Sequence, residues 1–125
     1  MSLLLDTHVV LWWISGSPRL PENIAARIAD PGELVVVSAA SIWEAAIKAA
    51  LGKLRVPEAL GDVVTEEGFE SMPITFEHAE QAGALPAHHR DPFDRMLVAQ
   101  AITEGLILVT HDPAFEPYGV QVLPV

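Results

Sequence analysis

The chain has 125 residues, half of them hydrophobic, and its seventeen Asp and Glu against seven Lys and Arg give a formal net charge of −10. That length and composition suit one domain over 1–125 with a substantial core, and exclude intrinsic disorder. The acidity argues against gripping nucleic acid by bulk electrostatics, and the absence of cysteine excludes disulfides, zinc–thiolate sites and thiol catalysis.

The apolar run 3–5 ends at Asp6 and reads as a buried strand. Residues 8–14 read as a helix stopped by Gly16-Ser17-Pro18, and Pro21 with Glu22 opens another through Asp30. Residues 34–37 are a second buried strand. Ser38 or Ser41 then caps a helix to about Leu51, with Gly52 as its stop. A helix is expected over 57–67, a strand over 69–74, and a helix over 75–84 capped by Thr75. Asp91-Pro92-Phe93-Asp94 opens the clearest helix, which ends near Gly105. Residues 106–109 form a third buried strand, and 120–123 a short last one. Wholly apolar strands separated by helices imply a mainly parallel sheet covered on both faces. No basic stretch precedes the first apolar run and no run approaches the ~18 residues of a membrane span, so a soluble, cytoplasmic protein is expected. The high apolar content also suggests surface reserved for a partner.

In a parallel sheet, ligands bind beyond the carboxyl ends of the strands. Asp6 and Asp112 each stand just past such an end. Two carboxylates there repel one another and are costly to bury unpaired, and a divalent cation resolves both problems. Oxygen ligands without cysteine favour Mg²⁺ or Mn²⁺ over zinc. The plainer alternatives are an N-cap role for Asp6 and a turn for Asp112. Glu44 is the one charged residue between Glu33 and Lys48 and lies near the same edge; its plainer alternatives are an i,i+4 pair with Lys48 or a capping box with Ser41. Asp91 suits an N-cap followed by proline, and Asp94 then falls at N3. Arg95 has two roles open to it, pairing with Asp91 or facing a phosphate. The adjacent His88 and His89 read as surface or supporting residues; His8 and His111 flank the two strand-end acids and read as solvent-exposed, with contact to substrate the lesser alternative. Trp12, Trp13 and Trp43 read as core or interface, with stacking on RNA the lesser alternative. No Gly-rich phosphate loop, GxSxG or GxGxxG is present.

Taken in order, Leu5-Asp6-Thr7, Glu44, Asp91-Pro92-Phe93-Asp94-Arg95 with Leu97-Val98-Ala99-Gln100-Ala101, and Val109-Thr110-His111-Asp112 with Phe115 resemble the PIN-domain ribonucleases, most of all the toxins of VapBC-type toxin–antitoxin modules. The resemblance spans the chain. It implies a three-layer α/β/α sandwich and metal-binding, catalytic acids at Asp6, Glu44, Asp94 and Asp112. It also implies supporting or substrate-facing roles for Thr7, Thr110, Arg95 and Asp91. His111 stands where many members carry a basic or amide residue. The implied activity is Mg²⁺-dependent (or Mn²⁺-dependent) endoribonucleolytic hydrolysis leaving a 5′-phosphate and a 3′-hydroxyl, the cation activating water and polarising the scissile phosphate. The implied partners are RNA, a small antitoxin with a basic tail, and a second copy in a homodimer. Arg90, Arg95, Lys48 and Lys53 are the cations available to guide RNA. A non-catalytic, partner-binding PIN-like domain is the rival reading. A metal-dependent phosphatase ranks lower, because Asp6-Thr7-His8 lacks a second aspartate.

Overall fold

The computed structural model describes residues 2–87 and 91–125, so the expectations at His88, His89 and Arg90 fall outside the described residues. Strand β1 (Ser2–Leu5) is flanked by β2 (Leu34–Ser38) and β4 (Ile107–Thr110), with β3 (Glu70–Met72) and β5 (Val122–Pro124) at the edges. Each pair is parallel, in the order β3-β2-β1-β4-β5. Because side chains alternate across a strand, the leucines of β1 divide between the faces. Leu3 and Leu5 join Val35, Val37, Ile107 and Val109 in one core, and Leu4 joins Val36 and Leu108 in the other.

Helices cover both faces. The first core takes in Val9 of α1 (Thr7–Ser15), Ile24 and Ile28 of α2 (Glu22–Ala29), Ala45 of α3 (Ala39–Ala50) and Val64 of α4 (Leu60–Glu66). The second takes in Leu97, Val98 and Ala101 of α6 (Pro92–Glu104) and Phe115 of a 3-10 turn (Pro113–Tyr118), with α5 (Phe76–Ala84) packed against α6. The architecture is the three-layer α/β/α sandwich expected. Among the described residues, no helix is long and apolar enough to cross a membrane.

Several boundaries differ from expectation for local reasons. The helix expected over 57–67 begins only at Leu60, because Ala59 sits in the left-handed region at φ 53° and breaks the run. Strand β3 is shorter than 69–74, since Pro73 has no N–H for the ladder. The last strand moves to Val122–Pro124, because the prolines at 113 and 117 lie within a 3-10 turn that delays it. The expected start and stop of α6 are observed: Asp91 caps it and Gly105 ends it at φ 66°, a conformation natural to glycine.

Candidate active site

Register carries Asp6 to the edge of the sheet beside Thr110. Leu5 pairs with Val109 in the parallel ladder, and the Asp6 N–H donates to the Val109 carbonyl at 3.0 Å. The next residues therefore meet: the Thr110 hydroxyl donates to Asp6 Oδ2 at 2.5 Å. The other oxygen of Asp6 caps α1 by accepting from the Val9 N–H at 2.9 Å. Asp6 is only 7% exposed. Burial pushes its carboxyl above the usual carboxylate range; the two hydrogen bonds and His8 oppose that shift, and Glu44 adds to it.

Thr110 extends the chain of contacts. Its oxygen accepts from the Asp112 N–H at 3.1 Å, and Asp112 Oδ1 accepts from the Ala114 N–H at 2.9 Å, capping the 3-10 turn. Thr7, next to Asp6, donates to Glu44 Oε1 at 2.6 Å. The second oxygen of Glu44 accepts from Lys48 Nζ at 2.9 Å. The capping box proposed for Ser41 and Glu44 does not form. Ser38 caps α3, its hydroxyl accepting from the Ala40 N–H at 3.0 Å, which leaves Glu44 in the second turn, facing Thr7 and Lys48.

Lys48 connects this group to the start of α6. Its ammonium pKa is raised by the hydrogen bond to Glu44, and by the charges of Glu44, Asp91 and Asp94. Asp91 Oδ1 accepts from the N–H groups of Phe93 at 2.8 Å and Asp94 at 3.4 Å, so its cap role is real; Asp94 lies in the first turn of the same helix. Asp6, Thr7, Glu44, Thr110 and Asp112 are thus joined by hydrogen bonds and sequence adjacency, and Asp91 and Asp94 reach the group through the field of Lys48. Among the described residues, no three His, Asp or Glu side chains form a group that could hold an ion as they stand. The available donors are carboxylate and hydroxyl oxygens, which suit a hard cation.

Two supports escaped sequence reasoning. Arg95 donates to the main-chain carbonyls of Ala82 at 2.8 Å, Leu85 at 3.0 Å and Pro86 at 3.0 Å, so its guanidinium holds the end of α5. At the other end of this helical hairpin, buried His78 accepts at Nδ1 from the Thr75 N–H and faces Glu104 Oε1 through Nε2 at 2.9 Å. Neither the Arg95 contacts nor the His78–Glu104 contact is local, and no spacing in the chain announces them. Beside Asp6 and Asp112 opens a cavity of about 410 Å³, lined also by His8, Trp12, Arg19, His111 and Pro113. A more apolar hollow of about 590 Å³ lies along Trp43, whose ring meets Phe93 edge-on at 5.2 Å and is 61% exposed.

The sequence profile of the PIN domain matches residues 3–120. The chain belongs to the PIN domain family. This PIN domain is 32% identical over 114 residues to Ribonuclease VapC22 of Mycobacterium tuberculosis, which covers 89% of this chain and 87% of the relative. Its fold is similar to VapBC2 of Rickettsia felis bound to a promoter DNA fragment, with a TM-score of 0.75 at 17% identity, covering 99% of this chain and 98% of the other. A DNA-bound VapBC of Salmonella typhimurium gives a TM-score of 0.73 at 22% identity, again covering 99% and 98%.

Proposed function

We propose that this PIN domain is a divalent-metal-dependent endoribonuclease and the toxin of a toxin–antitoxin pair. The observation that carries the reading is the buried Asp6–Thr110 contact at the sheet edge, linked through Thr7 to Glu44 and through the Thr110 oxygen to Asp112. A carboxylate buried there with a second acid in its field is destabilised in its charged form, and is relieved by a cation. Kinship with Ribonuclease VapC22 over most of both chains supports the same activity.

Asp6, Glu44, Asp94 and Asp112 would hold Mg²⁺ or Mn²⁺, which supplies the Lewis acidity and positive charge that phosphodiester hydrolysis needs. Thr110 and Thr7 fix the rotamers of Asp6 and Glu44 by donating to one oxygen of each. Asp91 starts α6 and so sets where Asp94 stands. Lys48 offsets the charge of Glu44 before a cation arrives. In-line hydrolysis would leave a 5′-phosphate and a 3′-hydroxyl.

The partner reading rests on the fold's similarity to VapBC assemblies and on surface chemistry. A toxin of net charge −10 suits an antitoxin tail carrying Arg or Lys, and the apolar hollow along Trp43 offers its neighbouring segment a dry contact. A homodimer completes the proposed assembly. The deciding experiment incubates total RNA with the protein in Mg²⁺, Mn²⁺ or EDTA and maps new 5′ ends, with Asp94→Asn as control. Metal-dependent cleavage, lost in the variant, is expected. Cleavage that persists in EDTA would refute the metal mechanism, and intact RNA across varied substrates would favour the non-catalytic, partner-binding reading.

A further inference from the structure

We infer that the cavity against Trp12 and His111 holds an unpaired base of the RNA next to the scissile phosphate, with Arg19 taking a neighbouring phosphate. The inference rests on the nuclease reading and deepens it by naming a recognition subsite. Its first support is position: the cavity of about 410 Å³ includes Asp6 and Asp112, so whatever fills it lies beside the acids. The volume falls within the ~300–1,000 Å³ of small-molecule pockets.

The walls are the second support. Trp12 lies with its ring centroid 6.2 Å from that of His8 and 5.9 Å from that of His111, so three planar rings gather on one side of the acids. His111 is tethered: its Nδ1 lies 2.7 Å from the main-chain oxygen of Val125. An oxygen there only accepts, so Nδ1 carries the hydrogen, and Nε2 is the nitrogen left for a base. Aromatic side chains bind unstacked bases with little regard to sequence.

Charge is the third support. An acidic chain cannot hold RNA by general attraction. Arg27 is paired with Glu33 at 2.9 Å, Lys48 with Glu44 at 2.9 Å, and Arg95 with main-chain carbonyls. Arg19, Lys53 and Arg55 are exposed, and of these Arg19 lines this cavity. Stacking beside one well-placed cation gives such a protein a grip that net charge does not supply.

The test uses the full chain and single-stranded oligoribonucleotides spanning the mapped cut, or of fixed mixed sequence where no cut maps, with one abasic residue placed at each position in turn. With the wild-type protein, KM should rise about 5- to 150-fold for an abasic residue at one position beside the cut, with kcat held. Trp12→Leu should raise KM on the intact oligonucleotide by a similar factor and become indifferent to the abasic residue at that position. Trp12→Phe should restore most of the loss. Trp13→Phe should change neither, because Trp13 packs on Phe69 with ring centroids 5.8 Å apart. If Trp12→Leu does not fold, His111→Ala carries the same comparison. Penalties that multiply at every position, or a Trp12→Leu loss confined to kcat, would overturn the subsite. Anisotropy of the same oligonucleotides on an Asp94→Asn background separates the two readings. A wild-type protein that cuts no RNA, while binding there still depends on Trp12 and on one base, removes the nuclease reading and keeps the subsite. Cleavage with no base-dependent step does the reverse.

Discussion

Lys48 sits one helical turn after Glu44 and donates to its Oε2 at 2.9 Å, inside the field of Asp91 and Asp94. The side chain serves as an internal counter-ion at a place where the protein gathers acids. Its raised pKa keeps it charged at neutral pH, and its share of the pair's stability, full below about 10.5, is lost as pH climbs through that raised value. A dication approaching Glu44 must compete with this ammonium.

Removing that competitor should therefore tighten metal binding. Lys48→Met is expected to raise Mg²⁺ affinity about 3- to 10-fold by calorimetry, while costing the metal-free protein up to about 1 kcal/mol, because the pair is only partly buried. Unchanged or weaker Mg²⁺ binding would show that Lys48 does not contest Glu44 with the cation.

Asp6 predicts a pH dependence of definite sign. Its folded pKa lies above 3.8, so the folded state binds a proton more readily than the unfolded state does. Its contribution to stability then falls as pH rises from about 3.8 through the raised value, and levels off above it. Asp6→Asn escapes that penalty. In EDTA it should match wild type near pH 3.5 and melt about 2–5 °C higher at pH 7, and Mg²⁺ should no longer raise its Tm. A variant that melts lower than wild type by the same margin at both pH values would show that Asp6 serves only as a cap.

Arg95 yields a stability prediction. Its three carbonyl contacts tie the end of α5 to the first turn of α6, in the same turn as Asp94. Arg95→Met is expected to cost about 1–3 kcal/mol in urea unfolding, since hydrogen bonds from charged groups are among the stronger ones and this guanidinium is half-buried. A loss below about 0.3 kcal/mol would mean that the contacts are not held in solution.

Much of this site can be read from the chain because its acids double as punctuation. Asp6 and Asp112 follow wholly apolar strands, and Asp91-Pro92 announces a helix start, so element order alone brings them toward one edge. The pair of Glu44 with Lys48 was legible as i,i+4 spacing. The choice of Ser38 over Ser41 was not, because both precede the same apolar helix and only packing leaves Ser38 as its start. Thr7 on Glu44 and Arg95 on the end of α5 link residues 37 and 13 positions apart, respectively, and arise from how helices settle on the sheet. The 3-10 turn over Pro113–Tyr118 was hidden for a different reason: its two prolines resemble a plain loop.

Asp6, Asp91 and Asp112 each spend one carboxylate oxygen on the main chain of the helix or 3-10 turn they begin. Side chains anchored in that way take part of their aim from the backbone itself, and Asp6 takes the rest from Thr110. Surrounding residues can then be exchanged wholesale while these carboxylates keep their bearings, so one scaffold can pass through very different sequences with its acids still in place.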